Sequence, residues 1–210
     1  MTNVEDTSDL ITSIDELEAV YGPINPNSLA KQTDWITPEY RRLIEASPFL
    51  ALATSGEGGL DCSPRGDNGQ AVTVVDEKTV HLADRRGNNR LDSLRNIVTD
   101  PRVGLLFLIP GVSECIRING RAALSTAPAL LERHTHEGKA PRSVIVVTVE
   151  AVYFQCARAI KRSELWNPEI QVDRASLPTP GQIMSAVTNG TFDGDAYDAE
   201  LPARQTDTLY

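Results

Sequence analysis

From Pro48 onward the chain breaks into short runs of apolar and β-branched residues set close together. Phe49–Ser55, Leu60–Ser63, Gln70–Val75, Thr79–Ala83, Val103–Ile109, Glu114–Leu124 and Val144–Gln155 alternate or are continuously apolar, with Gly, Asp or Pro turn signals between them. A parallel sheet needs a crossover of about a dozen residues or more between successive strands, and most of these gaps are shorter. The pattern therefore predicts a mainly β (α+β) fold: an antiparallel sheet of six or seven strands closing into a barrel or sandwich, with helices at its periphery. Helices are expected at about 90–99, from Thr126-Ala127-Pro128, and around Pro180–Thr188. Before the strands, Ser13 with Glu16 reads as a capping box, Gly22-Pro23 stops that helix, and Thr37-Pro38-Glu39 starts another. The expected organisation is a helical extension over 1–36, a β domain over 37–168, and a helix with an acidic tail over 169–210. Beyond about 190 the chain is poor in large apolar groups and reads as unstructured unless a partner orders it.

The 210 residues suffice for one domain with a substantial core. The formal charge of −9 is unevenly placed: residues 1–18 carry −6 and residues 193–210 carry −4, which leaves the body at +1. Sixteen arginines against four lysines and no basic run argue against a nucleic-acid surface. No apolar run approaches the roughly 20 residues that span a bilayer, and no basic-then-apolar leader opens the chain, so the expectation is a cytoplasmic protein. Cys62, Cys115 and Cys156 are odd in number and far apart, which fits buried thiols rather than a disulfide framework or zinc site. His134 and His136 would face different sides of a helix, so no metal is expected.

Candidate chemistry lies in three segments. Asp84-Arg85-Arg86-Gly87-Asn88-Asn89-Arg90-Leu91-Asp92-Ser93-Leu94-Arg95 reads as a strand end, a turn through Gly87 and a helix start capped by Asn88 or Asn89. Arginines there oppose the positive end of the helix dipole, at about 0.3–1 kcal/mol each when exposed, unless a phosphate sits among them; a solvated basic turn neutralised by Asp84 and Asp92 is the alternative. Ser63-Pro64-Arg65-Gly66-Asp67 reads as a sharp bend at which strand pairing ends, Gly66 being able to adopt a positive φ. It is either a turn closed by an Arg65–Asp67 pair or a second arginine-bearing corner, on a strand beside Thr79–Ala83, that converges on the same anion. Cys156–Trp166, with Arg158, Lys161 and Arg162, brings a tryptophan either to a ligand or down onto the core.

In this order the three segments resemble the pyridoxamine 5'-phosphate oxidase-like family, the split β-barrel flavoproteins that bind flavin mononucleotide (FMN). The resemblance covers about residues 37–168, and is strongest at Ser63–Asp67, at Asp84–Arg95 with Asp100–Leu105, at Glu114–Arg121 and at Cys156–Trp166. Within the family it is nearest to an FMN-binding subgroup with a Ser-Pro-Arg-Gly-Asp corner and an Asp-Arg-x-Gly-Asn-x-Arg loop. The resemblance implies that Asn89 and Arg90 bind the FMN phosphate, with Asp84 in the same loop and Asn88 and Ser93 as supporting donors. It places Arg65, Gly66 and Asp67 beside the phosphate and flavin ring. It further implies a homodimer with flavin sites between subunits, Glu114 reaching the partner's flavin, and Trp166 with Arg162 or Ser163 closing on the cofactor. The N-terminal segment through about Lys31 is expected to pack across that dimer.

The resemblance implies an FMN-dependent oxidoreductase working by hydride transfer at flavin N5 on a small molecule, with NADH or NADPH as a candidate reductant. Arg65 or Arg158 are the candidates for positive charge at the flavin N1–C2 edge, and no catalytic acid or base is assigned. The chain lacks the C-terminal arginine and histidine arrangement with which the vitamin B6 enzyme holds its substrate, which counts against that reaction. Two alternatives stay open: a non-enzymatic flavin-binding or redox-sensing module, and a deazaflavin or haem in the same groove.

Overall fold

The computed structural model describes residues 10–210; the acidic residues Glu5, Asp6 and Asp9 lie outside them. Contacts divide the chain into a unit ending at Gln32 and a unit over Thr33–Tyr210. The first contains α1 (Ile14–Tyr21) and α2 (Pro26–Ala30). In α1 the Ser13 hydroxyl accepts the Glu16 N–H, and the Glu16 carboxylate accepts from Ser13 N–H in return, so two otherwise orphaned amides are satisfied. Gly22, at φ 70°, ends the helix.

The second unit opens with α3 (Pro38–Glu45), capped by Thr37, whose hydroxyl accepts from Tyr40 N–H at 3.2 Å. Then come β1 (Phe49–Gly56), β2 (Gly59–Gly66), β3 (Thr73–Val74), β4 (Thr79–Asp84), α4 (Asp92–Thr99), β5 (Arg102–Leu108), β6 (Cys115–Ser125), α5 (Pro128–Arg133), β7 (Ser143–Gln155), α6 (Arg158–Ser163), α7 (Pro180–Val187) and α8 (Gly194–Asp207). The strands form one antiparallel seven-stranded sheet in the order β2-β1-β5-β6-β7-β4-β3. This is the split β-barrel. Alternate residues point inward: Leu50 and Leu52 of β1, Leu105 and Phe107 of β5, and Ile116 and Ile118 of β6 are all at most 2 % exposed. Each removes apolar surface worth about 1.5–3 kcal/mol from water. Ile44 of α3 and Ile97 of α4 are buried in the same core. Asn96 fixes α4 to the barrel, donating to Thr54 Oγ1 at 3.1 Å and to Gly59 O at 3.3 Å.

Several expectations change. The ladder does not stop at Pro64. Pro64 pairs with Ala51 and Gly66 with Phe49, which an edge strand such as β2 permits because its outward side needs no donor. Gly66 has no positive φ; a Cβ there would lie 3.2 Å from Pro48 O, so close backbone approach is what favours glycine. Of the expected strand Gln70–Val75, only Thr73 and Val74 pair. Cys115 is buried, but Cys62 and Cys156 are exposed, the first on edge strand β2 and the second just past the end of β7. His134 and His136 share no helix, since α5 ends at Arg133. The tail beyond 190 contains α8, whose N-cap Asp193 accepts from Ala196 N–H at 3.0 Å. Asp198 receives Gly181 N–H at 2.8 Å and also bonds the Thr179 hydroxyl. Polar ties to α7, rather than an apolar face, order this segment, which is why apolar content misreads it.

The long β6–β7 ladder changes partners at a bulge: Asn119 pairs with Ala151 but Gly120 with Val149, leaving Glu150 as the extra residue. The bulge lies where the β5-paired stretch of β6 meets the β4-paired stretch of β7, and a bulge bends a strand at such a point. A Cβ on Gly120 would come within 2.1 Å of Thr148 O. Gly120→Ala is therefore expected to cost about 1–3 kcal/mol, the range for overpacking, and to lower the thermal midpoint by several degrees. Gly58→Ala, where the added methyl meets nothing within 4 Å, should leave it unchanged. Melting followed by circular dichroism distinguishes the two.

Candidate functional site

Strands β2 and β4 are not neighbours in the sheet, contrary to the expected placement of the Arg65 strand beside Thr79–Ala83, yet their ends meet side chain to side chain as the barrel curls. Arg65 Nη1 donates to Asp84 Oδ1 at 3.0 Å, and Arg85 Nε donates to Asp67 Oδ2 at 2.9 Å. The pairs are thus crossed between the two corners; the local Arg65–Asp67 turn pair does not form. Arg65 and Asp84 side chains are only 24 % and 13 % exposed. At such burial an unpaired partner would be far more costly than the pair, so the corners hold each other in place.

Behind this contact lies a small polar network. Ser93, at the start of α4 and 3 % exposed, donates its hydroxyl proton to Asp61 Oδ2 at 2.6 Å and accepts from Arg65 Nη2 at 3.2 Å. Ser63 Oγ lies 2.7 Å from Ser93 Oγ; with the Ser93 proton committed to Asp61, Ser63 is the donor. The Ser93 hydroxyl therefore supports Arg65.

Asp67 is similarly occupied. Its Oδ1 accepts from Asn68 N–H at 2.8 Å and from the Tyr210 hydroxyl at 2.9 Å. Burial pushes its carboxyl upward, but the bonds from Arg85, Asn68 and Tyr210 outweigh that and hold it below the usual carboxylate value. Arg85 also donates to His134 O at 2.7 Å. His134 Nε2 lies 3.2 Å from His81 Nδ1, and burial lowers both imidazoles below their ordinary value. A neutral histidine pair thus backs the carbonyl that fixes Arg85.

The loop between β4 and α4 has two non-glycine residues in the left-handed region, Asn89 at φ 59° and Leu91 at φ 68°. For leucine that conformation costs about 1–2 kcal/mol, and strain of this kind collects at ligand sites. Gly87 has no positive φ, so the turn is made at Asn89 and Leu91 instead. Neither Asn88 nor Asn89 caps α4. The cap position is Leu91, with no side-chain bond to the helix amides; Asn88 Oδ1 accepts from Arg90 N–H at 3.1 Å, and Asn89 Oδ1 accepts from Arg142 Nη1 at 3.1 Å. Arg90 turns outward, 78 % exposed, and pairs with Asp92.

Between corner and loop is a cavity of about 360 Å³, lined by Arg65, Asp84, Arg86, Asn88, Asn89 and Arg142 among others. Its charge is readily summed. Arg65 is matched by Asp84 and Arg85 by Asp67, while Arg86 and Arg142 have no carboxylate partner among the described residues. Two positive charges therefore remain. In addition, the buried Arg65 Nε–H has no hydrogen-bond acceptor among the described residues, which costs about 1–3 kcal/mol or more. The geometry suits a dianionic phosphate.

Thus Arg65, Asp84, Asn88 and Asn89 line one cavity, with Ser93, Gly66 and Asp67 supporting it. The other candidates lie elsewhere. Glu114 is exposed at the turn before β6; the Trp166 indole N–H donates to Val112 O at 2.8 Å in that same turn; and Arg162 and Ser163 are exposed on α6. None of them lines the cavity. Arg142 and Tyr210 went unread in the sequence. Arg142 carries no local motif and meets Asn89 across 53 residues; Tyr210 meets Asp67 across 143.

A family model for pyridoxamine 5'-phosphate oxidase matches residues 36–156. Among solved structures, HupZ from Group A Streptococcus is similar at 19% identity, covering 57% of this chain and 93% of its own, with a TM-score of 0.47. A candidate pyridoxamine 5'-phosphate oxidase from Lactobacillus delbrueckii is similar at 19% identity over 58% of this chain and 95% of its own, TM-score 0.46. An FAD-binding protein from Mesorhizobium loti is similar at 15% identity over 56% and 93%, TM-score 0.39. No curated protein matches the chain. With more than half of its length, including the whole seven-stranded sheet up to Cys156, matched by the family model, the chain belongs to the pyridoxamine 5'-phosphate oxidase family.

Proposed function

We propose that the cavity holds the phosphate of FMN, and that the protein is an FMN-dependent oxidoreductase acting on a small molecule as a homodimer. The family is one whose members commonly bind a flavin and are often dimers. The observation that supports the cofactor most strongly is a cavity where Arg86 and Arg142 are uncompensated, lined also by Arg65, whose buried Nε–H has no acceptor among the described residues. A phosphate monoester brings a charge of about −1.5 to −2 and three acceptor oxygens, which matches that surplus.

In this reading Arg142 and Arg86 neutralise the phosphate, Arg65 Nε supplies a fixed donor, and Asn88 and Asn89 shape the loop around it. Arg90 joins by exchanging Asp92 for phosphate, since an exposed ion pair is worth about 0–1 kcal/mol. Asp84, Asp67 and Ser93 act through Arg65 and Arg85, and Gly66 admits the backbone approach that places them. The flavin, when bound, supplies hydride transfer at N5. The cavity lining offers no side chain free to act as acid or base, so the chain's part there is binding, orientation and charge.

The dimer is supported by the exposed face of the sheet. Phe49 and Leu106 are 39 % and 37 % exposed on it, beside a shallow groove of about 410 Å³ floored by Ala51, Ala53 and Gly104. Exposed apolar side chains beside a floor of small residues, with Arg117, Asn119 and Gln155 also in the lining, suit the close approach of a second copy. Glu114, Arg162, Ser163 and Trp166 would then serve the flavin of the second copy.

Two measurements test this reading. In titrations of flavin-free protein, Arg142→Ala and Arg90→Ala should each weaken FMN about ten- to hundredfold, the loss of one charge-assisted bond, and riboflavin much less; equal losses for both ligands would refute the phosphate assignment. Leu106→Glu should sediment as a monomer and release FMN, whereas unchanged sedimentation would place the interface elsewhere.

A further inference from the structure

A second cavity of about 690 Å³ lies on the other side of the β4–α4 loop. It shares Arg86, Gly87 and Asn88 with the first, and its far wall is α8 and the residues after it: Tyr197, Leu201, Arg204, Gln205, Thr208 and Leu209. The two cavities are therefore contiguous, with Arg86 on the divide.

Charge sorting across this wall is informative. Residues 193–210 contain five acids and one base. None of those acids lines the groove; the single arginine, Arg204, does. Asp198 is turned to Thr179 and Gly181, and Asp193 caps its own helix. The Arg204 guanidinium lies 4.4 Å from the centroid of the Tyr197 ring, and has no carboxylate partner among the described residues. An acidic segment presenting its only cation, opposite the unpaired Arg86, makes a wall suited to an anion.

The rest of the lining adds a second specification. Leu201 and Leu209, with the Tyr197 ring that Arg204 covers on one face, offer an apolar surface for a planar ring, while Asn88, Gln205 and Thr208 offer amides and a hydroxyl for ring nitrogens and ribose hydroxyls. The wall is tied down at both ends. At one end the backbones of Gly181 and Gly194 pack so closely that a Cβ on Gly181 would lie 2.1 Å from Gly194 O. At the other, Tyr210 bonds Asp67 and stacks on His136, with ring centroids 4.2 Å apart.

We propose that this groove is a nucleotide subsite, taking the adenylate moiety of a dinucleotide whose remaining part lies toward the first cavity. Two sources share that chemistry: the adenylate half of the flavin itself, if the bound form is FAD, or the adenylate end of a nicotinamide dinucleotide that reduces FMN. The proposal rests on the flavin reading for its neighbour, but the groove's own residues are tested separately.

The test uses the full chain and Arg204→Ala, a substitution at an exposed position outside the first cavity. Flavin released by denaturation is identified by mass, and the purified protein is titrated with 5'-AMP and with adenosine. If FAD is released, Arg204→Ala should lower affinity for FAD about ten- to hundredfold and for FMN little; equal FAD affinity in the variant would overturn the proposal. If FMN is released, 5'-AMP should bind the wild type more tightly than adenosine does, and Arg204→Ala should remove that preference. Absent or unchanged 5'-AMP binding would overturn the proposal while leaving the FMN site standing. If the protein takes up no flavin, the function proposed above fails, and the 5'-AMP titration alone decides the groove by the same criterion.

Discussion

The candidate site depends on a crossed pair of ion pairs. Arg65 of β2 reaches Asp84 of β4, and Arg85, just past β4, reaches Asp67, just past β2. These strands stand far apart in the sheet order, so the contacts exist only because the sheet curls until its two sides meet. Charge pairs at this depth give little net stability but penalise any arrangement that separates them. They therefore fix the relative position of two corners whose backbones share no ladder. Asp67 N–H donates to Pro48 O and Ala71 N–H to Ser47 O, holding the chain after β2 against the start of β1 and giving the Asp67 corner a rigid base.

From this arrangement follows the division of labour among the arginines. Those with carboxylate partners, Arg65 and Arg85, build the site. Those without, Arg86 and Arg142, give it charge. Arg65 adds a donor rather than charge, since its buried Nε–H has no acceptor among the described residues. The strained loop at Asn89 and Leu91 lies between the paired and unpaired groups; its cost is consistent with a conformation kept for binding.

The strands are legible in the sequence where alternation reports burial, as in β1, β5 and β6, because one buried face imposes a period of two. They are not where a residue's role is set by something distant or by packing at an edge. Gln70–Val75 has the composition of a strand but has a partner only at Thr73 and Val74. Pro64 looks like a terminator but sits on an edge strand that tolerates it. α8 was missed because Asp193, Asp198 and the glycine contact order it without an apolar stripe. In the site, the Asp84–Arg90 loop stands out by charge set against a helix dipole and Arg65 by its place in the Ser63–Asp67 bend, and Arg65 and Asp84 through Asn89 line one cavity. Their pairing is not legible in the sequence, since it crosses from one side of the barrel to the other. Arg142 stood outside every motif and is recognisable only once it is seen against Asn89.

We infer that this paired and uncompensated set of charges anchors the phosphate of a flavin. The decisive measurement is the absorption spectrum of the protein purified without added cofactor, with the mass of whatever ligand it releases. A flavin spectrum and the mass of a phosphorylated flavin are expected. A colourless protein that takes up neither FMN nor FAD on titration would contradict the account.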